Sequence, residues 1–403
     1  MNKKKILRGI HSLTVFCLCA LIFASIFSKA GVEIFFFAAL FFWLLGKVCI
    51  LQFPLKLTHF FSPNPLNIPL AVYFGINMIS TFNSVYFQLS FFSLFTKVLE
   101  NLLIYFIAAD TLATGRYMKW LVGMLIFAVS MLVLDAFFQY AVGFDLFRHF
   151  IMNDDNRVKA AFSNANDMAG WLILSAPVVW IVAFVHKTKN ILLKWYLMLL
   201  SAASLFCLVL SYSRGALLGA FVSSVIICAY YRKKAFKFCM FLLVVTCGVV
   251  LSPLHDKIFL NIFAGQGSVS VLARLDLWKR SLHMIADYPL LGSGLNTYVL
   301  MIGRYSEDFY SGASYPHNSF LHMATEIGVI GLAAFIYVLF KFFRTAGMFL
   351  SRAHPVTKGA HIGLALCSGI AAFLIQSFFD TNLTALQLVV PFWLMMGAVM
   401  SEV

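Results

Sequence analysis

Two arginines and a histidine have the most chemistry to offer in this sequence. Arg214 stands in the tight turn Ser211-Tyr212-Ser213-Arg214-Gly215 between two apolar runs, so its guanidinium is pinned at a membrane edge. A lone arginine in such a place commonly snorkels to lipid headgroups. Its planar fork also matches phosphate oxygens bidentately, which suits a lipid-linked phosphate, and Gly215 allows close backbone approach. Arg274 opens a stretch in which Leu275, Trp278, Leu282 and Ile285 recur at helical steps. A cation at a helix start works against the macrodipole, so Arg274 reads better as a ligand-binding residue than as a helix stabiliser. Arg280 lies off the apolar face, one turn beyond Asp276, a spacing that permits an ion pair. His317 follows Pro316 and precedes Asn318 where the next apolar run begins. It is a structural residue if Asn318 merely caps the helix. The positive end of a helix also favours the neutral imidazole, which suits a general base near neutral pH. Glu326 and Asp380 are acidic residues within or beside apolar runs, and such residues carry function by default. His317, His322 and Glu326 follow no zinc-site spacing, so no metal is expected.

The scaffold for these residues is set by composition. Of 403 residues, 62% are hydrophobic and only 11% charged, with mean hydropathy +0.89. Repeated apolar runs of about 20 residues predict an all-α polytopic membrane protein. About twelve spans are expected, near 10–27, 33–51, 67–82, 90–109, 118–142, 166–185, 191–211, 215–231, 236–252, 319–340, 359–379 and 384–400. The 44 phenylalanines fall mostly in these runs, as lipid-facing and packing bulk. The eight cysteines also lie in or beside apolar runs with no CxxC pair, which excludes a disulfide framework or a zinc motif.

The net charge of +14 suggests nucleic acid, but the positions of the basic residues exclude it. They sit in short clusters between apolar runs, where they report topology. With both termini cytoplasmic, nineteen Lys and Arg residues fall inside and ten outside, and half of the outer set sits in one long loop. Lys3-Lys4-Lys5 then flanks the first span, with no cleavable signal expected. The chain divides into spans one to nine over 1–252, an outer loop over 253–318, and spans ten to twelve over 319–403. Short helices are expected in the loop. The one at 274–288, ended by Tyr288-Pro289, is predicted to lie on the outer leaflet with its tryptophan face down. Gly292-Ser293-Gly294 reads as a flexible turn, since no strand precedes it. A second outer loop spans 144–165.

Taken in order, these pieces resemble the bacterial O-antigen ligase and polymerase superfamily. The resemblance rests on Ser213-Arg214-Gly215-Ala216 after a span, then Arg274, Trp278 and Pro289-Leu290-Leu291-Gly292-Ser293-Gly294 in one long loop. It continues with Pro316-His317-Asn318 and Glu326-Ile327-Gly328-Val329-Ile330-Gly331-Leu332. Phe162-Ser163-Asn164-Ala165-Asn166 is similar to the family's Phe-x-Asn-Pro-Asn pattern, with Ala165 in place of Pro. The resemblance implies a bacterial inner-membrane glycosyltransferase, working at the periplasmic face without a cofactor. It implies an O-antigen ligase that moves a glycan from undecaprenyl diphosphate to the lipid A-core oligosaccharide with inversion. Arg214 and Arg274 would bind the donor pyrophosphate, with Arg280 as a reserve. His317 would take the proton from the acceptor hydroxyl. Asp380 would orient His317 or bind acceptor sugar, and Asn318 and Asn166 are possible supporting residues.

Two rivals stay open. An O-antigen polymerase would use the same donor with a second lipid-linked glycan as acceptor. A flippase or other transporter would place charged residues together near the bilayer midplane, whereas Lys97, Glu100, Asp135 and Glu326 read as scattered.

Overall fold

The computed structural model describes residues 3–50, 61–113, 115–152, 156–185, 189–232, 236–250, 271–305, 315–352 and 357–403. The basic residues Lys56, Lys187, Lys233, Lys234 and Lys257, used above to orient the chain, lie outside the described residues, as does the start of the long loop.

The apolar runs form helices because a backbone removed from water must satisfy its own hydrogen bonds. In order they are α1 (Lys3–Ala24), α2 (Lys29–Ile50), α3 (Asn67–Phe82), α4 (Phe87–Thr111), α5 (Gly115–Val142) and α6 (Ala165–Val185). There follow α7 (Ile191–Leu210), α8 (Arg214–Tyr231), α9 (Phe236–Val250), α10 (Val271–Asp287), α11 (Ser319–Arg352), α12 (Lys358–Ser377) and α13 (Leu386–Met400). Among the described residues, nine helices are long and apolar enough to cross a membrane. The shorter α3, α9 and α13 lie where three further spans are expected. The chain is thus all-α and polytopic, and an isolated bridge between Phe144 and Ile151 is the extent of β-pairing described.

At the centre is α6, with Trp171 and Trp180 fully buried. It packs on α12, which in turn packs on α8. Small residues let these helices approach, as membrane helices commonly do. A side chain at Gly219 of α8 would meet the Ala372 carbonyl of α12. Phenylalanines such as Phe37, Phe41, Phe92 and Phe221 stay exposed on the flanks, as lipid-facing bulk requires.

One helix is broken, and the break explains a motif. Gly328 in α11 has φ 70° and ψ 179°, which no L side chain adopts comfortably. The backbone groups freed there pair with the segment 289–294. Ser293 and Gly294 donate to the carbonyls of Thr325 and Glu326 at 3.0 and 2.9 Å, and Val329 donates to that of Pro289 at 2.9 Å. Ser80 of α3 closes the set by donating to Leu291 O at 2.6 Å. Gly292 and Gly328 face each other so closely that a Cβ on either would strike the other's backbone segment. Gly292-Ser293-Gly294 is therefore a fixed dock and not the flexible turn expected. Irregular backbone is tolerated inside a bundle only when it is paired in this way.

The α10 helix also departs from expectation. Its buried side runs through Ser281 and Met284, both fully buried against the short helix Tyr298–Met301 and α11. Leu275 and Leu282 are left 52% and 57% exposed. Trp278 is not laid toward lipid; its Nε1 donates to Pro316 O at 2.8 Å. The helix is rotated from its most apolar face because the protein beside it offers hydrogen-bond acceptors that lipid lacks. That rotation turns Arg274, seven residues before Ser281, toward the protein.

Candidate functional site

The site forms where four connections meet at one end of the bundle: the residues before α6, the α7–α8 turn, the start of α11 and the α12–α13 connection. Pro316 is buried and His317 has φ 48°, an uncommon conformation for a bulky residue. Asn318 caps α11: its Oδ1 accepts from Phe320 N and Leu321 N, each at 3.0 Å. The Pro316 carbonyl is held by Trp278 and the Ser319 amide by the Asp380 carbonyl at 3.1 Å. His317 is thus gripped on both sides, and backbone strain persists only where the surroundings over-determine it.

Its ring faces Asp380, with Nδ1 3.2 Å from Oδ1. Thr381 N donates to the same oxygen at 2.8 Å, and the Asn166 side chain adds a further hydrogen bond. Burial pushes the Asp380 carboxyl up, but the His317 hydrogen bond and charge, with those donors, hold it below the usual carboxylate range. An ionised carboxylate only accepts, so Nδ1 carries the hydrogen and Nε2 is left as the proton acceptor.

Arg274 reaches over from α10. Its Nη1 lies 3.4 Å from Phe379 O, and its Nε is buried with no hydrogen-bond partner. Burial draws the Arg274 pKa down, Asp380 pulls it up and Arg214 lowers it again; the group stays charged all the same. Arg214 is the exposed first residue of α8. Its turn is pressed onto the end of α12, where a Cβ on Gly215 would come within 3.1 Å of Phe379. Two guanidiniums thus share one end of the bundle with one carboxylate already engaged by a histidine. That excess of positive charge beside an unpaired donor favours an anion.

The structure therefore brings His317, Asp380, Arg274, Arg214 and Asn166 together. Arg280 is engaged elsewhere: its Nη2 pairs with Asp276 at 2.5 Å, and it faces Tyr298. Asn318 uses its side-chain oxygen as a cap. A second polar group lies deeper on α11. There His322 Nε2 and Glu326 Oε1 stand 3.2 Å apart, flanked by the rings of Tyr298 and Tyr315. Lys97 of α4 donates to Asn296 and lies close enough to interact with Glu326. Lys97 and Glu326 are therefore neighbours and not scattered as expected.

Arg157, one of the ten outer basic residues and part of the loop 144–165, also enters this site. Its Nη2 donates to Asn166 Oδ1 at 2.5 Å and its Nε to Ser211 O at 2.8 Å. The same loop also carries Arg148 and Lys159, so nothing in the sequence sets Arg157 apart. Asp167, in the first turn of α6, adds a second carboxylate near Asp380.

The comparisons fit this arrangement. Residues 197–336 match the family described as O-Antigen ligase, a stretch that contains Arg214, Arg274, Arg280 and His317. Over 85 residues the chain is 31% identical to a "Putative polysaccharide ligase" of Rickettsia bellii (strain RML369-C), covering 19% of this chain. The chain spans 21% of the length of that relative in the match. Both findings are similarities of part of this chain to ligases of surface glycans.

Proposed function

We propose that the protein is a membrane glycosyltransferase of the O-antigen ligase type. It transfers a glycan from undecaprenyl diphosphate to the lipid A-core oligosaccharide at the periplasmic face of the bacterial inner membrane. The observation that carries this reading is the meeting of Arg214 and Arg274 with a His317 whose Nδ1 is committed to Asp380.

In the proposed reaction the acceptor hydroxyl loses its proton to His317 Nε2 as its oxygen attacks the anomeric carbon. The bond from that carbon to the diphosphate oxygen breaks on the opposite side, giving inversion. Negative charge grows on the leaving lipid diphosphate, where the two guanidiniums stabilise it more strongly in the transition state than in the ground state. Asp380 keeps the imidazole in the right tautomer and stabilises the imidazolium that forms, the role a buried aspartate plays beside other histidine bases. Two arginines supply the positive charge at the leaving group, so the mechanism is written without a metal.

The test uses purified protein in detergent with a lipid-diphosphate glycan donor and lipopolysaccharide lacking O-antigen. A glycan-bearing lipopolysaccharide product, formed without ATP, is expected. If well-folded protein instead joins one lipid-linked glycan to another, it is a polymerase, and the acceptor named here is wrong. If neither product forms, the transferase reading fails.

A further inference from the structure

Asp380 does not hold His317 alone. Behind it stands Asn166, and behind Asn166 stands Arg157. An asparagine amide can be turned either way round, but an arginine can only donate. Arg157 Nη2, at 2.5 Å, therefore fixes the oxygen of Asn166 on its own side. The Asn166 amide nitrogen is left to donate toward Asp380, with which its side chain is hydrogen-bonded. The Asn166 backbone is tied as well, its carbonyl accepting from Gln376 Nε2 at 2.9 Å. The donors thus point one way, from Arg157 to Asn166 and from the Asn166 amide toward the carboxylate, which in turn accepts from His317 Nδ1.

We propose that Arg157 is a positioning residue, which fixes the direction of the hydrogen bonds through Asn166 and Asp380 and so holds His317 as a proton acceptor at Nε2. The proposal rests on the reading of His317 as the general base. It gives a role to the Phe162–Asn166 segment that a phosphate-binding residue would not need. The Arg157 guanidinium is divided between Asn166 and the Ser211 carbonyl, on the turn that carries Arg214. The base and the proposed phosphate grip therefore share one anchor.

Other charges face this relay. Arg274 comes from α10 and Arg214 from α8. Asp167 comes from α6, with Lys29 of α2 beside it. Replacing Arg157 by Gln removes a positive charge beside Asn166 and leaves the Asn166 oxygen without its charged donor, so the amide is held less firmly against Asp380. The carboxylate, short of a donor, becomes a stronger partner for the imidazolium. Both effects favour protonated His317.

The test is steady-state transfer by purified wild-type, Arg157→Gln, Arg157→Lys, Asn166→Ala and the Arg157→Gln/Asn166→Ala double variant, each normalised to folded protein. For Arg157→Gln, kcat should fall roughly tenfold or more, up to the loss of about 10² to 10⁴ that removing the general base itself would cause. KM for the donor should stay within about twofold of wild-type, as expected when only a transition-state interaction is lost. The acid limb of the pH–rate profile should move to higher pH, and Arg157→Lys should recover part of the rate. The double variant should lose little more than the worse single, because the two residues act in series. The proposal is overturned by a raised donor KM with kcat intact, by an acid limb that is unmoved or lowered, or by additive losses in the double variant. Failure of the base reading itself shows separately, as His317→Ala retaining the wild-type rate.

Discussion

Two histidine–carboxylate pairs sit near the start of one helix, and their likeness makes their difference informative. His317 faces Asp380 and His322 faces Glu326, each pair at 3.2 Å. The first keeps 20% of its histidine side chain and 13% of its carboxylate side chain exposed; the second keeps 4% and 11%. His317 shares its surroundings with two arginines, whereas the ring of His322 is closed in by Tyr298 and Tyr315. Glu326 also accepts from the Tyr298 amide at 3.2 Å and, through its backbone carbonyl, from Gly294. The deeper pair thus secures the dock between the long loop and the break at Gly328, and the outer pair leaves more of its histidine exposed, beside two arginines. The pairing of a base with an acid does not by itself make a catalytic site; access and neighbouring charge decide it.

The comparison can be broken by substitution. The largest expected effect on turnover is that of His317→Ala, which should lower transfer by about 10² to 10⁴-fold while membrane insertion and thermal stability stay near wild-type. Activity assays beside thermal unfolding in detergent check both halves. His322→Ala should do the reverse. Breaking a buried pair by removing one partner costs about 3 to 5 kcal/mol, so the yield of folded protein and the unfolding temperature should drop. Surviving molecules should turn over within a few-fold of wild-type. Equal losses of activity per folded molecule would erase the distinction between the pairs.

Smaller effects sharpen the account of the outer pair. Arg214→Lys keeps the charge but loses the bidentate fork, so transfer should fall by tenfold or more, on the order of one to two charge-assisted hydrogen bonds. If lysine is tolerated there, Arg214 only snorkels. Acid pH offers a further measurement. The folded pKa of Asp380 lies below its ordinary value of about 3.9. Its contribution to stability is therefore complete above that ordinary value and is lost as pH falls through the folded one. Unfolding temperatures below about pH 4 should fall less steeply in Asp380→Asn than in wild-type; identical slopes would mean that the carboxylate is not held in this way. The smallest expected effect is Asn318→Ala, which removes a helix cap worth about 1 kcal/mol and should lower stability with little change in the rate per folded molecule.

Much of this was legible in the sequence, because membrane helices write their own length and hydrophobicity. The helix at α10 and its end before Pro289 follow from periodicity and proline chemistry, and the turn at Arg214 follows from two abutting apolar runs. The rotation of α10 was hidden, since Ser281 and Met284 look no more buried in sequence than Leu275 and Leu282. Only the neighbouring Tyr298 and Pro316, which offer a hydroxyl and a carbonyl at the right places, choose the face. The dock of Gly292–Gly294 on Thr325 and Glu326 was hidden for a similar reason: backbone pairing over more than thirty residues leaves glycines but no period. Arg157 stood in plain view as a loop cation, but nothing local distinguishes one that binds headgroups from one that holds Asn166.

The measurement that reaches furthest is the transfer rate per folded molecule of His317→Ala set against that of His322→Ala, taken with the same donor, acceptor and detergent. A ratio near or below about one to a hundred is the expected result, with the deeper variant active and unstable and the outer one stable and silent. A ratio near one, with His317→Ala as active as His322→Ala, would contradict the assignment of the outer pair as the site of chemistry.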